Sequence, residues 1–205
     1  MKPMGKFVVL EGIEACGKGS TAEHVRNRWS RDKLITTREI GGTPFAEKIR
    51  EMMLSKEYPD LLPISELYIC YAARADHTNL VINKFLNQGI HVFSERYYDS
   101  TRAYQSAFFG GSEMVDRVHE LTLPFLRKPD ITIYLDITTE LSIERMMKYR
   151  GPEVMDKIES RGFDYLETVR QNYLKNADES YRFVDASMPL ADVLAQVDSI
   201  MNELE

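Results

Sequence analysis

The chemically most informative stretch of the chain follows a short apolar segment near its N-terminus. Residues 12–21 read GIEACGKGST, and the helix-compatible segment AEHV comes directly after them. Glycines let successive backbone N–H groups turn inward around a phosphate, and Lys18 has the reach to contact the β and γ phosphates of a nucleotide. The pattern predicts a P-loop that binds a nucleoside triphosphate. The residues of this predicted loop are Gly12, Ile13, Glu14, Ala15, Cys16, Gly17, Lys18, Gly19, Ser20 and Thr21.

The predicted loop departs from the standard pattern directly after its lysine. The standard pattern has Ser or Thr there to reach Mg²⁺, whereas this chain has Gly19 and then Ser20. A second candidate ligand is Glu95, an acid at the end of a later apolar segment, which could hold Mg²⁺ through water. We therefore expect Mg²⁺ as a cofactor, with Ser20 and Glu95 as its candidate protein ligands.

A P-loop alone does not distinguish molecular switches, motors and kinases. A regulatory GTPase needs a DxxG turn and an NKxD guanine-reading motif. No glycine in this sequence has Asp three residues before it, and Asn83-Lys84 is followed by Phe-Leu. Two classes remain: a small phosphotransferase that uses ATP, and an ATP-binding module without chemistry.

Three arginines occupy positions suited to anionic ligands. Arg96 follows the predicted third strand at the edge where doubly wound folds bind ligands, and the alternative is an ion pair that caps the strand. Arg38 closes the predicted second strand before a Gly-Gly turn, and the alternative is a solvated turn. Arg74 lies on the apolar face of a predicted helix, so it needs either an internal carboxylate or a ligand in a cleft. That face consists of Leu67, Cys70, Tyr71, Arg74, Thr78, Val81 and Phe85.

Residues 148–161 form a basic stretch with few apolar residues in an otherwise acidic chain. It contains Lys148, Arg150, Lys157 and Arg161, and Arg145 precedes it. A run of like charges is usually a solvated face. Beside a triphosphate, however, a basic flap would neutralise charge on the migrating phosphoryl group and exclude water. We therefore expect an exposed, mobile lid at 148–161.

Short apolar segments that alternate with helical patterns must position these residues. The segments 7–11, 34–38, 90–94, 131–136 and 181–185 are nearly continuous in apolar or β-branched residues, as expected for strands of a buried sheet. The fold class is therefore α/β, with five strands in one mostly parallel sheet flanked by helices. Apolar residues at helical spacing between 190 and 204 predict a C-terminal amphipathic helix packed on the sheet.

Composition and charge narrow the setting. The chain has 205 residues, of which 43% are hydrophobic, so one domain is expected. Its 26 Lys and Arg against 32 Asp and Glu give a net charge of −6, which opposes binding to nucleic acid or anionic membranes. Cys16 and Cys70 are not spaced for a zinc site or a disulfide framework. Residues 7–10 are too short an apolar run for a signal or membrane segment, so we expect a soluble cytoplasmic protein.

Six motifs, taken in order, resemble the thymidylate kinase family, the P-loop nucleoside monophosphate kinases that make dTDP from dTMP. The resemblance covers nearly the whole chain. It implies a P-loop NTPase fold, ATP as phosphoryl donor with Mg²⁺, a deoxypyrimidine monophosphate as acceptor, and a homodimer. The motifs are VLEGIE at 9–14, TREIGGT at 37–43, YAAR at 71–74, ERY at 95–97, DSTRAYQ at 99–105 and PDITIYLD at 129–136.

The resemblance also implies roles for the residues that bind the phosphate and sugar. Glu14 looks like the acid that meets the sugar 3′-hydroxyl, and Arg38 and Arg96 look like ligands of the acceptor phosphate. Tyr104 would crowd a 2′-hydroxyl and so select deoxyribose. We also expect Arg145 to be an ATP-binding residue.

For catalysis, the chain is similar to the bacterial-type enzymes, because Ala15 and Cys16 place no basic residue in the loop. Those enzymes carry the catalytic arginine in the lid, and Arg150 matches it. The implied catalytic set is Lys18, Arg96 and Arg150.

For the base, Arg74, Thr101 and Gln105 match the residues that read its edge. Cys70 stands where the family has a Phe that stacks on thymine. The smaller residue would weaken affinity, let Tyr68 or another aromatic residue, Tyr71, substitute, or leave room for a bulkier 5-substituent. A kinase for dUMP or a 5-modified dUMP is therefore the alternative. Glu95 in place of Asp, and Ile40 in place of Pro, are further departures.

Overall fold

One five-stranded sheet forms the centre of the computed structural model, which describes residues 3–55, 61–149 and 162–204. The strands are β1 (Phe7–Glu11), β2 (Leu34–Arg38), β3 (His91–Glu95), β4 (Ile131–Asp136) and β5 (Tyr181–Asp185). Their order in the sheet is β2-β3-β1-β4-β5, and every neighbouring pair is parallel. The predicted α/β class is therefore confirmed, and the sheet is wholly rather than mostly parallel.

Helices cover both faces of the sheet, so its central strands are buried on both sides. The helices are α1 (Lys18–Arg28), α2 (Pro44–Leu54), α3 (Pro63–His77), α4 (Asn83–Leu86), α5 (Tyr98–Phe109), α6 (Glu113–Thr122), α7 (Thr139–Tyr149), α8 (Phe163–Asn176) and α9 (Leu190–Met201). All five residues of β1 are buried. Val8 and Leu10 pack in a cluster with side chains of α1, α8 and α9, whereas Phe7 and Val9 pack with side chains of α3 and α6 on the opposite face.

Two sequence predictions need correction by one residue. The third strand begins at His91, because the backbone N–H of Ile90 donates to Phe85 O at 3.1 Å and so closes the preceding helix. The apolar face predicted through Val81 and Phe85 is also displaced, since a π-helical turn at Thr78–Ile82 inserts an extra residue per turn. Ile82 and Leu86 are buried in their place.

The C-terminal amphipathic helix is confirmed as α9, whose Val193, Val197 and Met201 are buried against the sheet. Within the described ranges, none of the helices is long and apolar enough to cross a membrane.

Because all five strands are parallel, their carboxyl ends meet at one edge of the sheet. The turns that follow β1, β2 and β3 contain Gly12, Glu39 and Arg96 respectively. The fold therefore brings the predicted P-loop, Arg38 at the end of β2 and Arg96 after β3 to the same edge.

Candidate active site

The turn between β1 and α1 has the backbone of a P-loop. Gly12 has φ 149°, and a Cβ there would lie 2.7 Å from Cys16 Sγ and 2.8 Å from Leu135 O, so only glycine fits. Gly17, with φ 100°, caps α1 and supplies no side-chain hydrogen bond to it. The positive end of α1 therefore faces the loop without a protein acceptor from its cap, as in helix termini that bind phosphate.

Lys18 lies within this loop. Its Nζ donates to Gly12 O at 3.0 Å and to Ile13 O at 2.7 Å, and it lies 3.6 Å from Cys16 Sγ. Its side chain is largely covered, with the whole residue 7% exposed. The carbonyl contacts hold the ammonium at the centre of the loop, where a bound phosphate group would meet it.

The two candidate magnesium ligands are oxygen donors of the kind that Mg²⁺ prefers. Ser20 is exposed in the first turn of α1, and Glu95 is half-buried at the end of β3, in register with Arg38 of β2. No group of three or more His, Cys, Asp or Glu is arranged to hold a metal ion in the part of the chain that the structure describes. In phosphoryl-transfer enzymes one or two protein oxygens usually suffice, because the nucleotide phosphates supply further ligands. The Ser20 hydroxyl and the Glu95 carboxylate have the donor chemistry that such a ligand needs.

Arg145 of α7 links the P-loop to the turn after β5. Its guanidinium donates to Ala15 O at 3.5 Å, to Ala186 O at 3.0 Å and to Ser187 O at 3.5 Å. The P-loop is also tied to α7 by Ser142, whose hydroxyl donates to the Glu14 carbonyl at 2.8 Å. Arg145 thus borders the P-loop.

Arg96 is in direct contact with the P-loop acid. Its φ of 67° is a left-handed conformation that costs a non-glycine residue energy and is often found at functional sites. Its Nη2 donates to Glu14 Oε1 at 3.1 Å, and its Nη1 donates to Ser100 Oγ at 3.1 Å. The Tyr104 hydroxyl donates to the Glu14 carboxylate, at 2.7 and 2.8 Å from its two oxygens. Arg96 is therefore part of an internal cluster rather than a surface ion pair.

A buried carboxylate supports Arg96 from below. Glu11, at the end of β1, is 0% exposed and accepts hydrogen bonds from Tyr97 N at 2.8 Å, Ser100 Oγ at 2.7 Å and Tyr173 OH at 2.9 Å. Burial raises the pKa of Glu11, while Arg96 and these hydrogen bonds oppose the rise. The sequence pattern does not identify Glu11 or Tyr173 as part of the site. The only available sign is an acid that closes an apolar strand.

The surroundings of Arg96 raise the pKa of its guanidinium, so the group stays charged. Burial alone lowers the pKa of its guanidinium, but Tyr104, Tyr173 and two carboxylates, Glu14 and Glu11, outweigh that effect and leave the pKa well above its usual value.

Arg74 has the first of the two partners that the sequence leaves open, an internal carboxylate. Its Nε donates to Glu39 Oε2 at 2.7 Å, and its Nη2 donates to Thr101 Oγ1 at 2.9 Å and Tyr97 O at 3.2 Å. It therefore has an internal carboxylate partner. Its Nη1, by contrast, is buried and has no hydrogen-bond partner among the described residues. A buried donor without a partner is unfavourable, so Nη1 has free capacity for a ligand acceptor.

The other candidate base-contacting residues lie on α3 and α5 around Arg74. Cys70 is 4% exposed next to Thr101, and burial raises the pKa of its thiol to about 11. Gln105 Nε2 donates to Glu66 Oε2 at 3.3 Å. Tyr68 and Tyr71 flank Cys70 in sequence but differ in position.

The two tyrosines next to Cys70 point to different surroundings. Tyr68 is 55% exposed, whereas Tyr71 is buried, bonds His119 through its hydroxyl and lies with its ring centre 4.9 Å from the Arg74 guanidinium carbon. The Tyr71 ring therefore makes a cation–π contact with the Arg74 guanidinium.

Arg38, at the end of β2, is half-exposed and paired with an acid of α2. Its Nη2 donates to Glu47 Oε2 at 2.9 Å, and its side chain is 52% exposed. Arg50 of α2 is a basic neighbour that the sequence pattern missed. Burial and then Arg38 lower the pKa of Arg50, which Glu47 and Glu95 oppose, so these groups share one charged region.

Most of the predicted lid, including Arg150, lies outside the described residues. Lys148 at the end of α7 is exposed.

Comparisons with known proteins show which family this chain resembles over nearly its whole length. The family model for thymidylate kinase matches residues 10–197. The thymidylate kinase of Pseudomonas savastanoi pv. phaseolicola is 36% identical over 205 residues, which cover 98% of this chain and 96% of that protein. The thymidylate kinase of Legionella pneumophila is 38% identical over 207 residues, which cover 97% and 95% respectively.

A solved structure shares the fold. The thymidylate kinase from Ehrlichia chaffeensis superposes with a TM-score of 0.73 at 22% identity, covering 98% of this chain and 99% of that one. This confirms the P-loop NTPase fold. The match to the family model and the full-length relatives together confirm the resemblance found in the motifs: the chain belongs to the thymidylate kinase family.

Proposed function

We propose that the chain transfers the γ-phosphoryl group of ATP to dTMP and forms dTDP. The observation that carries this proposal is the 3.1 Å contact between Glu14 in the P-loop and Arg96 at the end of β3. It brings the loop for the donor phosphates and the arginine for the acceptor phosphate next to each other. In-line transfer between two bound phosphates requires that adjacency, and it needs no covalent intermediate.

On the donor side, Lys18 and the loop amides hold the β and γ phosphates of ATP, and Arg145 borders the donor site. Ser20 and Glu95 are the proposed protein ligands of Mg²⁺, which neutralises charge on the donor oxygens when bound. The uncapped start of α1 supports this assignment, because its N–H groups and positive dipole favour an anion.

On the acceptor side, Arg96 and Arg38 hold the phosphate of dTMP. A guanidinium suits this role, because its fork of N–H donors matches phosphate oxygens. Glu14 accepts from the sugar 3′-hydroxyl, and Tyr104 leaves no room for a 2′-hydroxyl. The contact of Tyr104 with Glu14 supports this proposal, because it brings the ring beside the carboxylate that meets the sugar.

For the base, we assign O4 of thymine to the unpaired Nη1 of Arg74. Thr101 holds the same guanidinium from α5, Gln105 lies one turn further along that helix, and Cys70 lies against Thr101. A donor aimed at O4 favours a 4-oxo pyrimidine over a 4-amino one, since the amino group would face another donor.

Arg150 is proposed as the lid residue that stabilises the transferring phosphoryl group. A group that acts only as charge develops changes kcat and leaves substrate affinity unchanged. Arg150→Ala should therefore lower kcat while the KM values for ATP and dTMP stay near those of the unmodified protein. A large rise in either KM with unchanged kcat would assign Arg150 to substrate binding instead.

The proposal extends to the domain organisation and the cellular compartment. Residues 1–205 form one nucleoside monophosphate kinase domain with its lid at 148–161, and the protein works in the cytoplasm.

We also propose that the protein is a homodimer. Large apolar side chains are exposed on neighbouring helices, namely Phe45 on α2, Tyr68 on α3 and Leu121 on α6, and a second copy would cover them. Light scattering at micromolar concentration that gives the mass of one chain would contradict the dimer.

The test of function is a coupled assay that follows ADP formation from ATP with a panel of acceptors. The panel contains dTMP, dUMP, a 5-bulky deoxyuridine monophosphate, dCMP and the purine deoxynucleotides. We expect the highest kcat/KM with dTMP and only background turnover without an acceptor. Equal turnover with every acceptor, or ATP hydrolysis that needs none, would overturn the proposal. Lys18→Ala serves as the control for contaminating kinases.

A further inference from the structure

A buried histidine lies directly behind the arginine that is assigned to the base. His77, the last residue of α3, is 0% exposed. Its Nδ1 lies 2.9 Å from Glu39 Oε1, and its Nε2 lies 2.8 Å from Thr37 Oγ1. Glu39 uses its other carboxylate oxygen to accept from Arg74 Nε at 2.7 Å. One continuous chain of hydrogen bonds therefore runs from Thr37 through His77 and Glu39 to Arg74.

The direction of the hydrogen bond between His77 and Glu39 follows from the groups involved. A carboxylate accepts at both oxygens, so His77 Nδ1 carries a hydrogen and donates it to Glu39. The other ring nitrogen, Nε2, shares a hydrogen bond with the Thr37 hydroxyl. The imidazole ring is thus held in one orientation through both nitrogens, and Glu39 is held at both of its oxygens.

The backbone around the histidine leaves it no alternative position. A Cβ on Gly42 would lie 2.5 Å from two atoms of the His77 ring and 2.7 Å from Thr37 Oγ1, so the turn after β2 packs directly on the imidazole. Glu39 is anchored as well, because its backbone N–H donates to Glu95 O at 2.9 Å. The cluster is buried away from bulk solvent, since the Arg74 and Glu39 side chains are only 1% and 2% exposed.

Arg74 has five N–H donors in a planar fork, and this environment engages three of them. Nε bonds Glu39, and Nη2 bonds Thr101 and Tyr97. The two hydrogens on Nη1 have no partner in the described part of the chain. Because the guanidinium is rigid, fixing its Nε and Nη2 also fixes the direction of Nη1.

We propose that His77 is a positioning residue which, through Glu39, fixes the direction in which Arg74 presents Nη1 to the pyrimidine. The inference rests on the proposed function, since it takes the base to be read at its 4-position by Arg74. It adds a residue pair, His77 and Glu39, that controls selectivity without contacting the substrate. Without the imidazole, Glu39 loses one of its two fixed contacts and the guanidinium gains freedom to tilt.

The test compares dTMP with 5-methyl-dCMP, which differs from dTMP at the 4-position and in the protonation of N3. The quantity measured is the ratio of their kcat/KM values, determined by competition. In the unmodified protein we expect dTMP to be favoured by at least about 100-fold, as in sites built to bond one polar substituent. In His77→Leu, which keeps the volume and removes both ring nitrogens, the ratio should fall about tenfold. The KM for ATP should stay unchanged.

Three further variants separate positioning from general destabilisation. His77→Asn places an amide N–H near the position of Nδ1 and should restore most of the selectivity. Val197→Ala, a remote change in the α9 core, should lower Tm and leave the ratio unchanged. In a Glu39→Gln background, His77→Leu should add no further loss, because the two residues act through one chain of contacts.

The outcomes test two hypotheses separately: that Arg74 reads the base, and that His77 positions Arg74. If the unmodified protein does not discriminate between dTMP and 5-methyl-dCMP, the proposed reading of the base by Arg74 is wrong. The positioning role of His77 is wrong if three results occur together: the unmodified protein discriminates between the two nucleotides, Arg74→Lys loses that discrimination, and His77→Leu retains it. Equal loss of selectivity in Val197→Ala would likewise overturn that role.

Discussion

Replacing Arg96 by alanine tests the acceptor site and the buried carboxylate beneath it at once. The guanidinium lies 3.1 Å from the Glu14 carboxylate. It is also the strongest of the influences that oppose the rise in the pKa of Glu11 caused by burial. Arg96→Ala therefore removes the proposed phosphate ligand and leaves the fully buried Glu11 without the cation that opposes the rise in its pKa.

The expected effect on binding follows from the strength of a charge-assisted hydrogen bond. Such a bond contributes about 1.5–3 kcal/mol, and 1.4 kcal/mol corresponds to a factor of ten. The KM for dTMP should rise about 10- to 100-fold in Arg96→Ala, whereas the KM for ATP should change less than about threefold.

The expected effect on stability depends on pH. Stranding a buried carboxylate costs about 3–5 kcal/mol, and we discount this to about 2 kcal/mol because the Arg96 side chain is 23% exposed. Loss of the cation raises the pKa of Glu11 further. The destabilisation is therefore largest at high pH and shrinks as the pH falls and Glu11 binds a proton.

Steady-state kinetics with dTMP and ATP varied in turn, and urea unfolding at pH 5.5 and pH 8, measure the two effects. Arg102→Ala is a matched control, because Arg102 lies nearby on α5, has a side chain 21% exposed against 23% for Arg96, and bonds two carboxylates. It should leave the KM for dTMP unchanged. A folded Arg96→Ala protein with an unchanged KM for dTMP would refute the acceptor assignment. A fall in kcat alone, with the KM for dTMP unchanged, would instead assign Arg96 to stabilisation of the transition state.

Three other changes give independent tests. Lys18→Ala should lower turnover at least about 100-fold with little change in Tm, and near-normal turnover in a folded variant would contradict the donor site. Burial raises the pKa of Asp99 to about 7, so the free energy of unfolding should fall by a few kcal/mol as the pH rises from about 4 to 7. Asp99→Asn should abolish most of that slope in urea unfolding, and an equal slope in both proteins would show that Asp99 is not its source. Cys70→Phe should lower the KM for dTMP and disfavour bulky 5-substituents in the coupled assay. An unchanged KM and preference would mean that Cys70 does not line the base pocket.

The sequence predicts those parts of the molecule that local rules determine. Strand runs that are apolar throughout predict a sheet covered on both faces, and four of the five strand ranges are confirmed without change. The P-loop follows from glycine spacing, because Gly12 and Gly17 adopt backbone angles that other residues avoid. The π-helical turn at Thr78–Ile82 escapes such rules, since one inserted residue leaves the apolar spacing on either side intact.

The contacts that hold the site residues could not be predicted in this way. Tyr173 and Glu11 are 162 positions apart in the chain, and His77 and Glu39 are 38 apart. Nothing in the local pattern of a tyrosine or a histidine names its distant partner. The sequence marks Arg74 as a residue that needs a buried partner, and only the packing of α3 on the turn after β2 shows that Glu39 fills that place.

Two of the three arginines of the proposed acceptor site, Arg96 and Arg74, are supported in the same manner. Arg96 lies near Glu11 at the end of β1, with Tyr173 of α8 bonded to that carboxylate, and Arg74 bonds Glu39 after β2, with His77 bonded behind it. In each case the carboxyl edge of the parallel sheet supplies an acid, and a helix supplies a ring that holds the acid in place. The guanidinium groups are thus oriented before a nucleotide arrives, which lowers the entropy that binding must remove. Substitutions in either support should consequently act on acceptor affinity and selectivity, while the affinity for ATP, held by a separate loop, stays constant.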